Sequence, residues 1–167
     1  MQFDFADTLA NYERMNSSNT TAGGYGATEM KKVTLPALVN ALPVYLRNLL
    51  IEFNCRATAG SSSSTIVTIT GNKLALRSAY EVTGSTGGYC CVQEGEQIPY
   101  YKAASANRTK KRGHSGSSGA SWWFRSPSRA YESYDNTAFG YYSESSPSNG
   151  RADATYQYCC IAPFGCI

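Results

Sequence analysis

The chain has 167 residues and a net charge of only +3, so a single domain is expected and nucleic-acid binding is not. Charged residues make up 16%, against roughly 25% in ordinary soluble proteins, and 15 Gly, 13 Tyr and abundant Ser take their place. No apolar run approaches the roughly 18 residues of a membrane span, while 42% hydrophobic and 13% aromatic residues supply a core and exclude wholesale disorder.

The first residues, Met1 to Asp7, are acidic and lack a basic n-region, so no signal peptide is expected and the chain is expected to be made in a reducing cytosol. Residues 1–26 read as an arm, with Asn16 to Gly26 (NSSNTTAGGYG) a loop by composition. Thr28 and Glu29 can open a helix, and Pro36 and Pro43 each suit a first turn. Leu42, Leu46, Leu49, Leu50 and Phe53 fall at helical spacing. Two or three short helices are therefore expected over residues 28–53, with that apolar stripe in the core.

Residues 58–64 (TAGSSSS) read as a flexible connection. Residues 65–70 (TIVTIT) and 73–78 (KLALRS) read as strands around a Gly71-Asn72 turn. Residues 83–88 are loop. Residues 102–121 are a long polar stretch whose basic run, from Lys102 to Arg112, is expected to be a solvated face. Trp122 to Pro127 (WWFRSP) holds both tryptophans of the chain and is expected to anchor the core. Phe139 to Tyr142 can be a strand. The apolar terminus, Cys159 to Ile167, is expected to be pinned as a buried strand, because exposed apolar surface is costly.

The chemistry of catalysis is sparse. Six cysteines include two adjacent pairs, Cys90-Cys91 and Cys159-Cys160, and adjacent cysteines rarely bridge. No C-x-x-C occurs, and the only histidine, His114, sits in a Gly/Ser loop. Neither a zinc site nor a Ser-His-Asp triad is expected. Cys55, Cys160 and Cys166 read as small buried hydrophobes. The Gly-rich pieces lack the Lys-Ser/Thr of a phosphate loop. A surface argument is left. Tyr131, Tyr134, Tyr141, Tyr142, Tyr156 and Tyr158 are interleaved with Ser, Asn, Asp and Arg. Tyrosine offers contact area for few rotatable bonds, and its small polar neighbours offer adaptable hydrogen bonds. A division of these tyrosines between core and ordinary loops stays open at this point.

The terminal block WWFRSPS…FGYY…YCCIAPFGCI resembles the W-W-L-R-S-P … G-V-A-P-x-F-C-I signature of a domain family common in phage tail and gut-bacterial proteins. Upstream, MNSSNTTAGGYGATEM, LVNALPVYLRNLL, SSSSTIVTITGNKLALRS with YEV, and EGEQIPYY resemble that family's motifs in the same order, over about residues 12–167. Cys160 stands at the family's Gly, Phe124 at its Leu, and Gly165 shifts the terminal F-C-I.

The resemblance implies one α+β domain of the C-type-lectin-like (formylglycine-generating-enzyme-like) fold. In that arrangement short helices pack on a twisted, mainly antiparallel sheet with long loops. It is similar to the variable proteins of diversity-generating retroelements, whose C-terminal part carries hypervariable ligand-contacting positions. By that likeness residues 121–160 form a variable region. Its ligand contacts are expected at Tyr131, Tyr134, Asp135, Asn136, Tyr142, Arg151, Asp153, Tyr156 and Tyr158, and its structural core at Trp122, Trp123, Arg125, Ile161 and Phe164, with Arg125 in a hydrogen-bond or ion-pair network behind the face.

The implied function is receptor or ligand binding without catalysis, at a phage tail tip or as a retroelement-diversified protein in the virion or at a cell surface. The partners would be a protein or cell-surface receptor, other virion proteins, or further copies of the chain, with no nucleic acid, cofactor or metal. Two alternatives stand beside it. One is a purely structural virion protein. The other is a formylglycine-generating-type copper oxidase, for which Cys90 and Cys91 are the only non-terminal thiol pair.

Overall fold

The computed structural model describes residues 1–86, 92–113, 118–129, 137–144 and 148–167. Strand β1 (Gln2–Asp4) opens the chain. The expected loop at 16–26 ends early, because helix α1 spans Gly24–Ala27. Gly24 has φ 62°, and a Cβ there would lie 2.1 Å from the Thr58 carbonyl oxygen. The glycine is a point of close backbone approach as well as a turn. Thr28 closes α1: its hydroxyl donates to the Tyr25 carbonyl (2.7 Å) and accepts from the Lys31 amide (3.1 Å). A π-helical turn, Met30–Thr34, runs into α2 (Leu35–Ala41), with Pro36 in its first turn, and Pro43 precedes α3 (Val44–Leu49).

Next comes an antiparallel hairpin of β2 (Phe53–Thr58) and β3 (Ile66–Asn72). The expected pairing of 65–70 with 73–78 does not form. Buried Asn72 explains why, since its Nδ2 donates to the carbonyls of Phe53 (3.0 Å) and Ile69 (2.7 Å) and fastens the hairpin end to β2. Beyond it β4 (Leu74–Ala75) enters a different sheet. Arg77 turns into ion pairs, and Ser78 starts α4 (Ala79–Thr83) in a capping box with Glu81.

The remaining elements are α5 (Pro99–Ala103), a 3-10 turn (Ser105–Arg108), β5 (Lys110–Lys111), β6 (Gly119–Ala120), β7 (Trp122–Pro127), β8 (Ala138–Ser143), β9 (Ser148–Asp153) and β10 (Phe164–Cys166). Among the described residues the sheets are β1-β10-β4, β2-β3, β5-β6 and β7-β8-β9, and these strands all pair antiparallel. The architecture is α+β, with short helices and small antiparallel sheets. No described helix is long and apolar enough to cross a membrane.

Side-chain alternation along β7 builds two apolar cores. Trp123 joins Met15, Tyr25, Met30, Phe139, Ile161 and Phe164 on one side. Trp122 and Phe124 join Val82, Tyr101 and Tyr142 on the other. The apolar terminus is buried through Phe164, whereas Ile167 is exposed.

Two further expectations fail. The basic run is not wholly solvated, because Lys110 is buried with its Nζ donating to the carbonyls of Phe5 and Ala6. The 42–53 stripe is not uniformly core. Leu50 is buried, but Leu46 and Leu49 stay exposed, because among the described residues no second layer covers the six-residue α3.

Candidate functional site

The site begins with how residues 5–16 lie along the end of the chain. Backbone amides of Phe5, Leu9, Glu13 and Met15 donate to the carbonyls of Pro163, Ile161, Cys159 and Ala154, each at 2.9–3.0 Å. On its other side the terminal segment joins β7, with Trp123 N–H donating to Cys160 O (3.1 Å) and Cys160 N–H to Ser121 O (2.8 Å). Tyr12 is thereby carried to Tyr158, almost the whole chain length away, with ring centroids 6.0 Å apart.

From there a ladder of aromatic rings runs inward. Tyr158 meets Tyr156 at 5.2 Å, Tyr156 stacks on Tyr141 at 6.4 Å, and both Tyr156 and Tyr141 meet the edge of buried Trp123, at 6.3 and 6.1 Å. Trp123 is itself held, its Nε1 donating to the Glu13 carbonyl at 2.7 Å. The outer end is fixed by Arg112. Its guanidinium lies 4.0 Å from the Tyr12 ring centroid, donates to the Tyr12 hydroxyl (3.2 Å), and is tied to the Ala10 carbonyl (2.8 Å). Exposure rises outward, from Trp123 at 0% to Tyr156 at 39% and Tyr158 at 66%. A cleft of about 360 Å³ adjoins the ladder, lined by Tyr12, Glu13, Arg14, Glu29, Thr34 and Gln157. The Arg14–Glu29 ion pair (3.6 Å) crosses it, so both charge signs border the aromatic surface.

The expected contact residues separate into groups. Tyr156 and Tyr158 are in the ladder. Tyr142 is corrected to a packing residue, because it is 2% exposed and packs against Trp122 in the second core. Arg151 and Asp153 pair with Gly140 and Ala138, placing them on the Tyr142 side of the sheet and away from Tyr141. Asp153 accepts from the Thr137 hydroxyl at 2.8 Å. Tyr131, Tyr134, Asp135 and Asn136 lie outside the described residues. Tyr12 and Arg112 were absent from the expected set. Nothing local in the sequence places them at the site: Tyr12 arrives through the pairing of Glu13 with Cys159, and Arg112 through the pairing of Thr8 with the 111–113 segment.

Behind β7 lies a buried polar network. Arg125 is fully buried and makes a bidentate pair with Glu81 (2.7 and 2.8 Å). It also donates to the carbonyls of Arg56 (2.8 Å), Leu76 (2.8 Å) and Glu94 (3.0 Å). The Glu94 carboxylate is also buried. It accepts from the amide and hydroxyl of Thr58 (2.6 and 2.7 Å) and bonds the Ser126 hydroxyl. Desolvation raises its pKa despite the nearby Arg125 charge. Arg77 pairs with Asp4 in the same bidentate way (2.8 and 2.7 Å) and lies over the Phe164 ring. Trp122, Trp123, Arg125, Ile161 and Phe164 are thus all within the frame.

Burial raises the pKa values of Cys55, Cys159 and Cys160, which keeps these sulfurs as thiols and makes them poor nucleophiles. Cys90, Cys91 and His114 lie outside the described residues. Among those described, no three or more His, Cys, Asp or Glu gather where they could hold a metal ion.

Residues 7–163 match the family described as Domain of unknown function (DUF6273). The chain belongs to that family. The match includes the ladder from Tyr12 to Tyr158 and Arg125 with its partners Glu81 and Glu94, while Asp4 and Phe164 lie outside it. No curated protein and no solved structure matches the chain.

Proposed function

We propose that the chain is a ligand-binding module that captures a protein or cell-surface receptor on its tyrosine ladder and adjoining cleft. The observation that carries this reading is the ladder itself. Tyr158 and Tyr12 are exposed rings held 6.0 Å apart, on a backbone fixed by long-range hydrogen bonds and braced by Arg112. Rigid tyrosines lose little entropy when they are covered, which favours binding. Neighbouring charges of both signs suit a polar partner. The mechanism is binding without catalysis, and the contact surface changes independently of the buried frame.

The finer fold is C-type-lectin-like. The sequence resemblance supports this, and the short helices, antiparallel sheets and long connections fit it. By the same resemblance the module belongs at a phage tail tip or in a retroelement-diversified protein, with residues 121–160 as its variable region. Tyr156 and Tyr158 fall inside that region, while Tyr12 and Arg112 form a constant border.

Sequencing the DNA that flanks the gene tests the diversified reading. A near-copy of the codons for residues 121–160, differing mainly at adenines and lying beside a reverse-transcriptase gene, is the expected result. A locus with neither refutes diversification. A structural virion protein would instead bury Tyr12 and Tyr158 in a constitutive assembly, so full reactivity of these tyrosines in the assembled particle speaks against that alternative.

A further inference from the structure

The α3 segment was expected in the core, and the structure leaves it outside. Val44, Tyr45, Leu46, Leu49 and Ile51 are exposed, Tyr45 at 68% and Leu49 at 54%. Leu46 and Leu49 line an apolar groove of about 210 Å³ together with Phe3, Phe5 and Leu42. Ile167 also lines the groove, and the Ile51 amide donates to the Cys166 carbonyl (3.0 Å), bringing Ile51 near it.

The exposed parts of Val44, Tyr45, Leu46, Leu49, Ile51 and Ile167 amount to roughly 600 Å², at the top of the range for the largest patch on a monomer. A standard interface buries about 800 Å² on each partner, so this patch with its groove walls is near the size a stable pair needs. Its charge is equally permissive. Residues 42–51 (LPVYLRNLLI) contain one charged side chain, Arg47, whose Nη1 donates to the Asn40 carbonyl. Two copies with a net charge of +3 each meet little repulsion there. Phe3 of β1 lines the groove, and β1 is one edge of its sheet among the described residues; an edge strand offers unpaired N–H and C=O groups to a second chain.

We infer that this face is a self-association surface whose occupant is a second copy of the chain, with α3 and the β1 edge of each copy packed against the same elements of the other. The interface is isologous, as two-fold pairing of one patch requires. It shares no residue with the tyrosine ladder, so the pair presents two ladders to a ligand, and binding gains from avidity.

Sedimentation equilibrium across micromolar to several hundred micromolar protein tests this. The wild-type chain is expected to reach twice its 18.1 kDa mass. The double variant Tyr45→Glu/Leu49→Glu places charges in the interface and is expected to weaken the pair by at least about 100-fold, because each charge would have to be desolvated. Both side chains are exposed, so its circular dichroism is expected to match wild type. Val44→Lys supplies an independent charge should the double variant lose its fold. A wild-type chain that stays at 18.1 kDa throughout overturns the inference, and so does a folded variant that pairs as tightly as wild type. Occupation of the patch by a different protein or by a lipid surface would appear as the first of these results.

Discussion

Arg125→Met tests the frame behind the proposed binding face. Arg125 is fully buried and donates five hydrogen bonds, two to the Glu81 carboxylate and three to backbone carbonyls on separate segments. Methionine fills much of the same volume and satisfies none of these acceptors. The Glu81 carboxylate, 12% exposed, is left with the Ser78 amide as hydrogen-bond donor and Arg77 as its paired cation, at 3.9 Å. Removing one partner of a buried ion pair costs about 3–5 kcal/mol. That is a large share of the roughly 5–15 kcal/mol stability of a whole domain. At roughly 2–4 °C per kcal/mol for a domain of this size, Tm is expected to fall by about 6–20 °C. Arg125→Lys recovers only part of this, since an ammonium cannot span the bidentate Glu81 contact and the three carbonyls together. The assay is thermal and urea unfolding followed by circular dichroism. Adding Glu81→Gln to Arg125→Met is expected to cost much less than the two single losses combined, because the pair acts as a unit. An Arg125→Met chain within about 1 kcal/mol of wild type would refute the claim that this network organises the frame.

Other outcomes follow from the same geometry. Tyr142→Ala is expected to cost about 3–5 kcal/mol, as truncation of a buried aromatic does, while Tyr158→Ala stays within about 1 kcal/mol; equal losses in urea titrations would contradict the division between core and ladder. Glu94 has a raised pKa, so the folded chain binds more protons than the unfolded chain between the ordinary carboxylate range and that raised value. Stability from this group is therefore complete at low pH and declines as pH rises through that interval. Glu94→Gln is expected to flatten the decline in a pH series of Tm values, and a series parallel to wild type counts against a buried carboxylate. Trp123→Phe removes the Nε1 bond to the Glu13 carbonyl and is expected to cost about 1–3 kcal/mol with faster amide exchange near Tyr12; unchanged exchange there would separate Trp123 from the positioning of the ladder.

Local signals in the sequence mark much of the fold. The prolines at 36 and 43 start helices where their fixed φ predicts. WWFRSP is a buried strand, as its aromatic density suggests. The hairpin register was hidden, because Gly71-Asn72 looks like a turn while buried Asn72 ties β3 back to β2 through side-chain bonds that no pattern displays. The α3 stripe has the spacing of a core helix, and periodicity cannot say whether a covering layer exists. The candidate site is half legible. Tyr156 and Tyr158 stand in the segment that composition singles out. Tyr12 and Arg112 come from remote segments brought in by long-range backbone pairing. Tyr142 has the same composition signal as its neighbours and points the other way, because adjacent strand residues face opposite sides.

The central claim, that the exposed tyrosines bind and do not hold the fold, is tested by one titration. Fluorescently labelled wild-type chain and a Tyr12→Ser/Tyr156→Ser/Tyr158→Ser variant are titrated against a panel of intact bacterial cells, with Tm measured on both. The account predicts saturable wild-type binding to at least one strain, and its loss in a variant whose Tm stays within about 5 °C. A folded variant that binds like wild type, or a wild-type chain that binds no strain, contradicts it.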